Sequence, residues 1–204
     1  MTDPAIIAHL SQEPRLAPIV ARHQLQERPD FGGDVYFGLL RSITYQQLSG
    51  RAAGTIFGRF MDVFPDGYPH PDRLLELSVA DLRAVGMSRS KAAYLHNVAS
   101  FWLEHKLIDQ EWSILSDGEI IELLTRIKGV GKWTVEMVLM FVLHRPDLLP
   151  LDDLVVRRNL IALFDLHHLK GRALLQAMEA AAEPWRPYRS YASRYLWEMG
   201  DTEL

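Results

Sequence analysis

Apolar residues along this chain recur at the three- and four-residue spacing of helices, and no segment alternates apolar and polar residues as a half-buried strand would. The pattern predicts an all-α fold of roughly ten helices. A turn-rich run at residues 65–71, with three prolines and a glycine, is predicted to be a loop. Helices are predicted at about residues 14–28, 35–46, 50–60, 79–85, 89–105, 116–127, 132–141, 153–164, 171–182 and 187–199.

Several helix boundaries are indicated by residues that cap free backbone groups. Ser78 with Asp81, and Ser116 with Glu119, have the spacing of a capping box, in which the two side chains bond each other's backbone N–H. The other predicted boundary residues are the N-caps Asp34 and Ser49 and the C-terminal stops Gly86 and Gly200.

The stretch from residue 116 to residue 160 is the most suggestive of function. Gly129 and Gly131 separate a helix that ends near Ile127 from one that begins near Lys132. The first N–H groups of the second helix lie at the positive end of its dipole and could bind an anion such as a nucleic-acid phosphate. Lys128 would add positive charge, as would Lys132. The alternative is an ordinary turn between two helices, in which the glycines only permit the chain reversal.

Composition restricts the class of protein. The chain has 204 residues, of which 48% are hydrophobic and 24% charged, as in a folded globular protein. It has no cysteine, no basic signal-peptide start and no apolar run long enough for a membrane span, so a cytoplasmic location is expected. The net charge of −4 argues against a protein that coats nucleic acid nonspecifically, and weighs little against one with a short DNA footprint.

Three motifs carry a resemblance to a known family. Residues 124–134 (LTRIKGVGKWT) and 149–157 (LPLDDLVVR) resemble the signature of helix-hairpin-helix DNA glycosylases. More narrowly, they are similar to the 3-methyladenine DNA glycosylase II (AlkA-type) family. Residues 40–49 and 184–192 match further motifs of that family in the same order, so the resemblance covers about residues 34–197.

The resemblance implies a two-lobed helical fold with an active-site cleft between the lobes. One lobe is expected at about residues 34–145, with the helix-hairpin-helix at 116–144, and the other at about 1–33 plus 146–204. Many AlkA-type proteins carry a further N-terminal β-domain, for which this chain has no room, so a short form is expected.

Asp153 matches the catalytic aspartate of the family. It stands at the predicted start of a helix, where the dipole favours a carboxylate. Cleaving a glycosidic bond builds positive charge on the sugar, which a fixed anion stabilises while it aligns or deprotonates water. The alternatives are that Asp153 merely caps the helix, or that its neighbour Asp152 is the functional residue.

The resemblance also assigns a base pocket to Trp133, Trp197, Met137 and Phe37. An electron-rich ring attracts a base that is cationic because it is alkylated on a ring nitrogen. Bifunctional relatives carry a lysine nucleophile where this chain has Trp133, so a water-using enzyme without lyase activity is expected. At Met137 the family often has a tyrosine, which affects pocket width. Core packing is the alternative for Trp133 and Trp197, and it is the expected role of Trp102 and Trp112.

The remaining predicted roles concern DNA. Gln47 or Leu48 would be the wedge that fills the gap left by a flipped base, with a simple polar helix cap as the alternative. Arg157 and Arg158 are either solvated or in contact with the DNA backbone, whereas Arg186 and Arg189 would brace the last helix. The phosphate-binding hairpin would comprise Lys128, Gly129, Val130, Gly131, Lys132 and Thr134.

The sequence thus predicts a monomeric, monofunctional DNA glycosylase acting on double-stranded DNA that contains alkylated bases. No cofactor is expected, although a monovalent cation could sit at the hairpin carbonyls; the eight histidines have no metal-ligand spacing, and the pair His167 and His168 is expected at the surface. Two alternatives remain open: a non-catalytic DNA-damage-binding module, and a glycosylase for neutral lesions such as uracil or hypoxanthine.

Overall fold

The computed structural model describes residues 2–26, 31–48 and 50–200, and this part of the chain contains helices and no strand. The predicted all-α fold class is confirmed. Three 3₁₀ helices occupy Leu107–Asp109, Trp112–Ile114 and Glu183–Trp185. The α-helices are α1 (Pro4–Leu10), α2 (Ala17–Arg22), α3 (Val35–Tyr45), α4 (Gly50–Met61), α5 (Pro71–Glu76), α6 (Val79–Ala84), α7 (Arg89–Glu104), α8 (Asp117–Leu124), α9 (Lys132–Phe141), α10 (Leu154–Leu163), α11 (Gly171–Ala182) and α12 (Arg189–Glu198).

The chain divides into two compact units. Unit 1 consists of Met1–Pro29 and His144–Leu204, and unit 2 consists of Asp30–Leu143. Unit 1 therefore contains α1, α2 and α10–α12, whereas unit 2 contains α3–α9.

The core of unit 1 brings α10 and α12 together. Leu160 of α10, Met178 of α11 and Leu196 of α12 are completely buried in one apolar cluster. Asn159 is also buried, and its Nδ2 donates to the carbonyl of Leu196 at 2.7 Å. An unpaired buried amide would be costly, so this bond fixes how α10 lies against α12.

The core of unit 2 is built on α3, α7 and α9. Apolar side chains from each of these helices are fully buried (Leu39, Leu40, Ile43, Ala92, Leu95, Val98, Val135, Val138 and Leu139). A Cβ at Gly38 would lie 2.6 Å from Val142, so the glycine lets α3 approach the end of α9 closely. Trp102 and Trp112 are buried and stack at 5.5 Å between ring centroids, as expected of core residues.

Local capping signals locate most of the helix ends. Ser78 with Asp81, and Ser116 with Glu119, form complete capping boxes. Hydrogen bonds from Ser116 lower the pKa of Glu119, because they stabilise its charged form. The carboxylate of Asp34 accepts from Phe37 N at 2.9 Å and caps α3. Ser49, the cap predicted for α4, lies outside the described residues.

Several predicted boundaries are wrong. The turn-rich run ends in helix α5, because Pro71 can occupy its first turn without losing a needed N–H. The helix predicted over residues 14–28 begins only at Ala17, since Glu13 Oε2 accepts from the N–H groups of residues 15 and 16 in a preceding turn. It ends at Arg22, because the backbone of His23 is extended. Helix α8 stops at Leu124, three residues before the buried Ile127. Helix α1 was not predicted at all.

Candidate functional site

Asp153 is the N-cap of α10 and is half-buried. Its Oδ1 accepts from the backbone N–H of Val155 at 3.0 Å and of Val156 at 2.9 Å. The indole Nε1 of Trp197 donates to the same oxygen at 2.9 Å. Three donors from two helices converge on one carboxylate oxygen, so the orientation of this group is fixed by the packing of α10 against α12.

The loop before Asp153 is tied to the start of α12. Arg189 donates to Asp147 through Nε at 2.6 Å and through Nη2 at 3.0 Å, and Arg186 also forms an ion pair with Asp147. The hydroxyl of Ser190 accepts from Leu148 N at 2.9 Å. Asp153 N then closes a turn on the carbonyl of residue 150 at 3.0 Å. Both arginines thus bind this loop through Asp147, whereas the prediction that they brace the last helix against a cleft stays a prediction.

The residues near Asp153 differ in exposure. Asp152 is exposed and lies outside the cap, so the capping role falls on Asp153 itself. Arg158 is not simply solvated: its Nε donates to Asn159 and its Nη2 to the carbonyl of Gly200, each at 3.1 Å. Arg157 is half-buried. His167 and His168 are exposed, as expected.

In unit 2 the two hairpin glycines have different environments. Gly129 has φ +100°, and a Cβ there would lie 2.2 Å from the ring of Tyr94, so α7 covers this glycine. Gly131 has open space around its Cβ position and begins α9 without any side-chain cap. The hairpin backbone is therefore open at Gly131 and closed at Gly129, although the resemblance places both glycines in the phosphate-binding hairpin.

The charged residues of the hairpin are also unequal. Lys128 is exposed, and its carbonyl accepts from Asn97 Nδ2 at 2.9 Å. Lys132 is exposed but lies 3.4 Å from the carboxylate of Glu136, which is only 3% exposed. Val130 is buried and anchors the turn in the core of unit 2.

The predicted pocket residues of unit 2 lie on α3 and α9. Trp133 is half-buried, and Met137, one turn further along α9, is buried. Phe37 is half-buried in an aromatic cluster, with ring centroids 5.4 Å from Phe57 and 6.2 Å from Tyr68.

A cavity of about 440 Å³ also lies within unit 2, and none of the predicted site residues lines it. Its walls include Asp34, Tyr36 and Tyr68, with the Tyr68 hydroxyl donating to Asp34 at 2.7 Å. Burial raises the pKa of both tyrosines. Sequence reasoning gave no signal for this cavity, because its walls come from segments far apart in the chain.

The predicted wedge residues follow α3. Gln47 and Leu48 are exposed, whereas the preceding Gln46 is half-buried and donates to the Thr134 hydroxyl. Thr134 was predicted to contact phosphate; its side chain is 2% exposed and serves this internal bond.

Two kinds of site are not found in the described part of the chain. Residues 2–26, 31–48 and 50–200 contain no cluster of three His, Asp or Glu side chains that could hold a metal ion. No helix in these ranges is long and apolar enough to cross a membrane.

Residues 40–187 match the family described as HhH-GPD superfamily base excision DNA repair protein. The chain belongs to this superfamily. It is 37% identical to the putative DNA-3-methyladenine glycosylase YfjP of Bacillus subtilis, over 80% of this chain and 58% of that protein. It is 36% identical to DNA-3-methyladenine glycosylase 1 of Schizosaccharomyces pombe, over 80% of this chain and 71% of that protein.

A solved structure of a similar protein has the same fold as this chain. The S. pombe 3-methyladenine DNA glycosylase Mag1, solved in complex with abasic DNA, superposes with a TM-score of 0.80. The match covers 96% of each chain at 33% sequence identity. The chain thus has the fold of this helical glycosylase, while it spans a little over half the length of YfjP.

Proposed function

We propose that this protein is a monofunctional DNA glycosylase that hydrolyses the N-glycosidic bond of alkylated bases in double-stranded DNA. The observation that carries the proposal is the carboxylate of Asp153, which lies within the matched family region and is held by two backbone N–H groups and the Trp197 indole. The names of the two similar proteins, both 3-methyladenine glycosylases, support the substrate class.

In this mechanism Asp153 acts on the sugar and on water. As the glycosidic bond breaks, positive charge develops on the deoxyribose, and a fixed carboxylate stabilises it without having to reorganise. The same group orients or deprotonates the attacking water. A carboxylate already fixed by three donors loses little further freedom when the substrate binds.

The aromatic residues explain how the protein would bind a charged base. An alkylated ring nitrogen makes the base cationic, and a cation over an indole face gains up to about 2 kcal/mol when water is excluded. We propose Trp133 and Trp197 as the rings, with Met137 and Phe37 completing the pocket. Trp197 bonds Asp153 through its edge. Trp133 stands where a lyase would carry lysine, so water is the nucleophile.

DNA binding would use the open end of the hairpin and the turn after α3. The N-terminus of α9 at Gly131 suits a phosphate, with Lys128 beside it. Gln47 or Leu48 would enter the duplex where the damaged base leaves the stack.

Replacing Asp153 by asparagine tests the proposal. Asparagine keeps an oxygen that can accept the three hydrogen bonds, so the Asp153→Asn protein should fold and still bind abasic DNA. Because the charge is lost, we expect base release from methylated duplex DNA to fall at least about 100-fold. Asp152→Asn is the matched control, and it should keep wild-type activity.

The possible outcomes distinguish the alternatives. If the loss occurs in Asp152→Asn instead, the catalytic assignment is wrong. If the wild-type protein binds methylated DNA and releases no base, it is a binding module without catalysis. Release of uracil or hypoxanthine in preference to methylated bases would assign it to neutral lesions.

A further inference from the structure

The turn after α3 has an unusual backbone conformation. Gln47 has φ +57°, in the left-handed region that residues other than glycine, asparagine and aspartate rarely adopt. A residue stays in such a conformation when its surroundings impose it. The side chains of Gln47 and Leu48 are nevertheless exposed, so their own packing does not impose the conformation.

Lys91 holds this turn from one side. It lies in the first turn of α7, and its Nζ donates to the carbonyl of Thr44 at 2.8 Å and to that of Gln46 at 2.7 Å. These carbonyls belong to the end of α3, where carbonyl groups lack partners within the helix. The ammonium is half-buried, and burial lowers the pKa of Lys91.

Gln46 holds the turn from the other side. Its Nε2 donates to the Thr134 hydroxyl at 3.0 Å, and Thr134 is buried in the first turn of α9, directly after the hairpin. The three-residue turn 46–48 is therefore bonded to both α7 and α9. Two of these bonds involve the backbone or side chain of Gln46, next to the exposed pair, and the third fixes the carbonyl of Thr44 at the end of α3.

We propose that Lys91 and Gln46 are positioning residues for base flipping, which hold the turn so that Gln47 and Leu48 form a rigid wedge. The inference rests on the proposed function. A wedge that becomes ordered only inside the duplex would lose conformational freedom at that moment, and this loss would add to the cost of unstacking the base. A wedge fixed in advance avoids that loss. The bond to Thr134 also connects the wedge to the hairpin.

The effect of removing Lys91 should depend on whether the base must be flipped. We compare single-turnover base release from two duplexes that carry the same alkylated base, one with its normal partner and one with the base in a bulge. In Lys91→Met, which keeps the apolar stem and loses the donors, release from the paired lesion should fall about tenfold, the effect of freeing roughly one residue. Release from the bulged lesion should change less than about twofold.

Further variants separate positioning from a general structural role. Lys91→Arg keeps a donor and should restore most of the rate, whereas Gln46→Met should reproduce the selective loss. In a Gln47→Gly/Leu48→Gly background both wedge side chains are absent, and Lys91→Met should have little further effect. Lys170→Met, at an exposed residue of unit 1, is the control and should match the wild type.

Three further outcomes of these experiments are informative. An equal loss on paired and bulged lesions, together with lower thermal stability, would overturn the positioning role. If Lys91→Met does not fold, Gln46→Met on the two duplexes decides by the same comparison. A wild-type protein that releases no base from either duplex would instead refute the proposed function.

Discussion

Asp153 caps α10 with the same carboxylate that we propose acts on the substrate sugar. A capping aspartate accepts backbone N–H bonds and is thereby fixed relative to its helix. The additional bond from Trp197 fixes it relative to a second helix, 44 residues further along the chain. Capping and catalysis are compatible here, because the cap holds the charge in place without neutralising it.

Replacing Trp197 by phenylalanine, which has no ring N–H, tests this coupling. Trp197→Phe keeps an apolar ring and loses the bond to Asp153, and a hydrogen bond to a charged group contributes about 1.5–3 kcal/mol. We therefore expect single-turnover base release to fall about tenfold or more, with little change in the affinity for abasic DNA.

Trp185→Phe is the matched control for this experiment. Trp185 is fully buried in unit 1, and its Nε1 has no hydrogen-bond partner among the described residues. Its replacement should lower the melting temperature through lost packing and leave the rate of base release unchanged. Wild-type activity in Trp197→Phe would show that the bond to Asp153 has no role in the reaction.

At the residue level, the sequence could propose Asp153 as the catalytic carboxylate but could not predict the hydrogen bonds that hold it. Asp153 stands in a short motif, so a match to the family suffices to locate it. The bond from Trp197 depends on how α10 lies on α12, which Asn159 and the core set. The role of Lys91 could not be predicted from its sequence neighbours either, because the carbonyl groups that accept its hydrogen bonds belong to residues more than forty positions earlier.

At the level of elements, the two glycines of the hairpin, Gly129 and Gly131, are needed for different reasons. Gly129 accommodates the ring of Tyr94 and a positive φ, both of which are internal requirements of unit 2. Gly131 has φ −93° and nothing near its Cβ position, so the fold alone does not require glycine there. A phosphate that approaches the start of α9 would explain it.

Alanine at each glycine should therefore have a different effect. Gly131→Ala should fold with a nearly unchanged melting temperature and bind abasic DNA about tenfold more weakly, because the methyl group obstructs a phosphate bonded to backbone N–H groups. Gly129→Ala should lower the melting temperature by about 5 °C or more, because the methyl group meets Tyr94. Thermal melts and a DNA titration measure both effects.

The same two variants also test the alternative that the hairpin is an ordinary turn between two helices. If Gly131→Ala binds DNA as tightly as the wild type, the glycines only shape a turn between two helices. Loss of DNA binding in Gly129→Ala alone would indicate that a correctly folded turn is needed and that phosphate does not approach Gly131.

Helix boundaries were predictable where a few neighbouring residues determine them. The capping boxes at Ser78 and Ser116 depend on side chains three residues apart, and both are present. Helix α5 is only six residues long, and isolated helices of that length are not stable in water. It exists because Leu74 is buried against the rest of unit 2, which the turn-rich sequence around Pro71 conceals.

At the scale of the whole molecule, the proposed DNA contacts must work against a net charge of −4. Lys132 is close to the buried carboxylate of Glu136, so much of its charge is balanced within the protein. Lys128 is exposed, and its backbone is fixed by Asn97. We therefore expect Lys128 to be the main cation of the hairpin that meets a phosphate.

Salt dependence measures this contact directly. Each phosphate neutralised on duplex DNA adds about −0.9 to the slope of log Kobs against log salt concentration, because counterions are released. In Lys128→Ala the slope should become shallower by about one unit, and affinity at low salt should fall. Lys170→Ala, which removes an exposed lysine at the start of α11 in unit 1, should leave the slope unchanged. Equal slopes in all three proteins would show that Lys128 meets no phosphate, and DNA binding would then depend on backbone N–H groups, which carry no net charge and release few counterions.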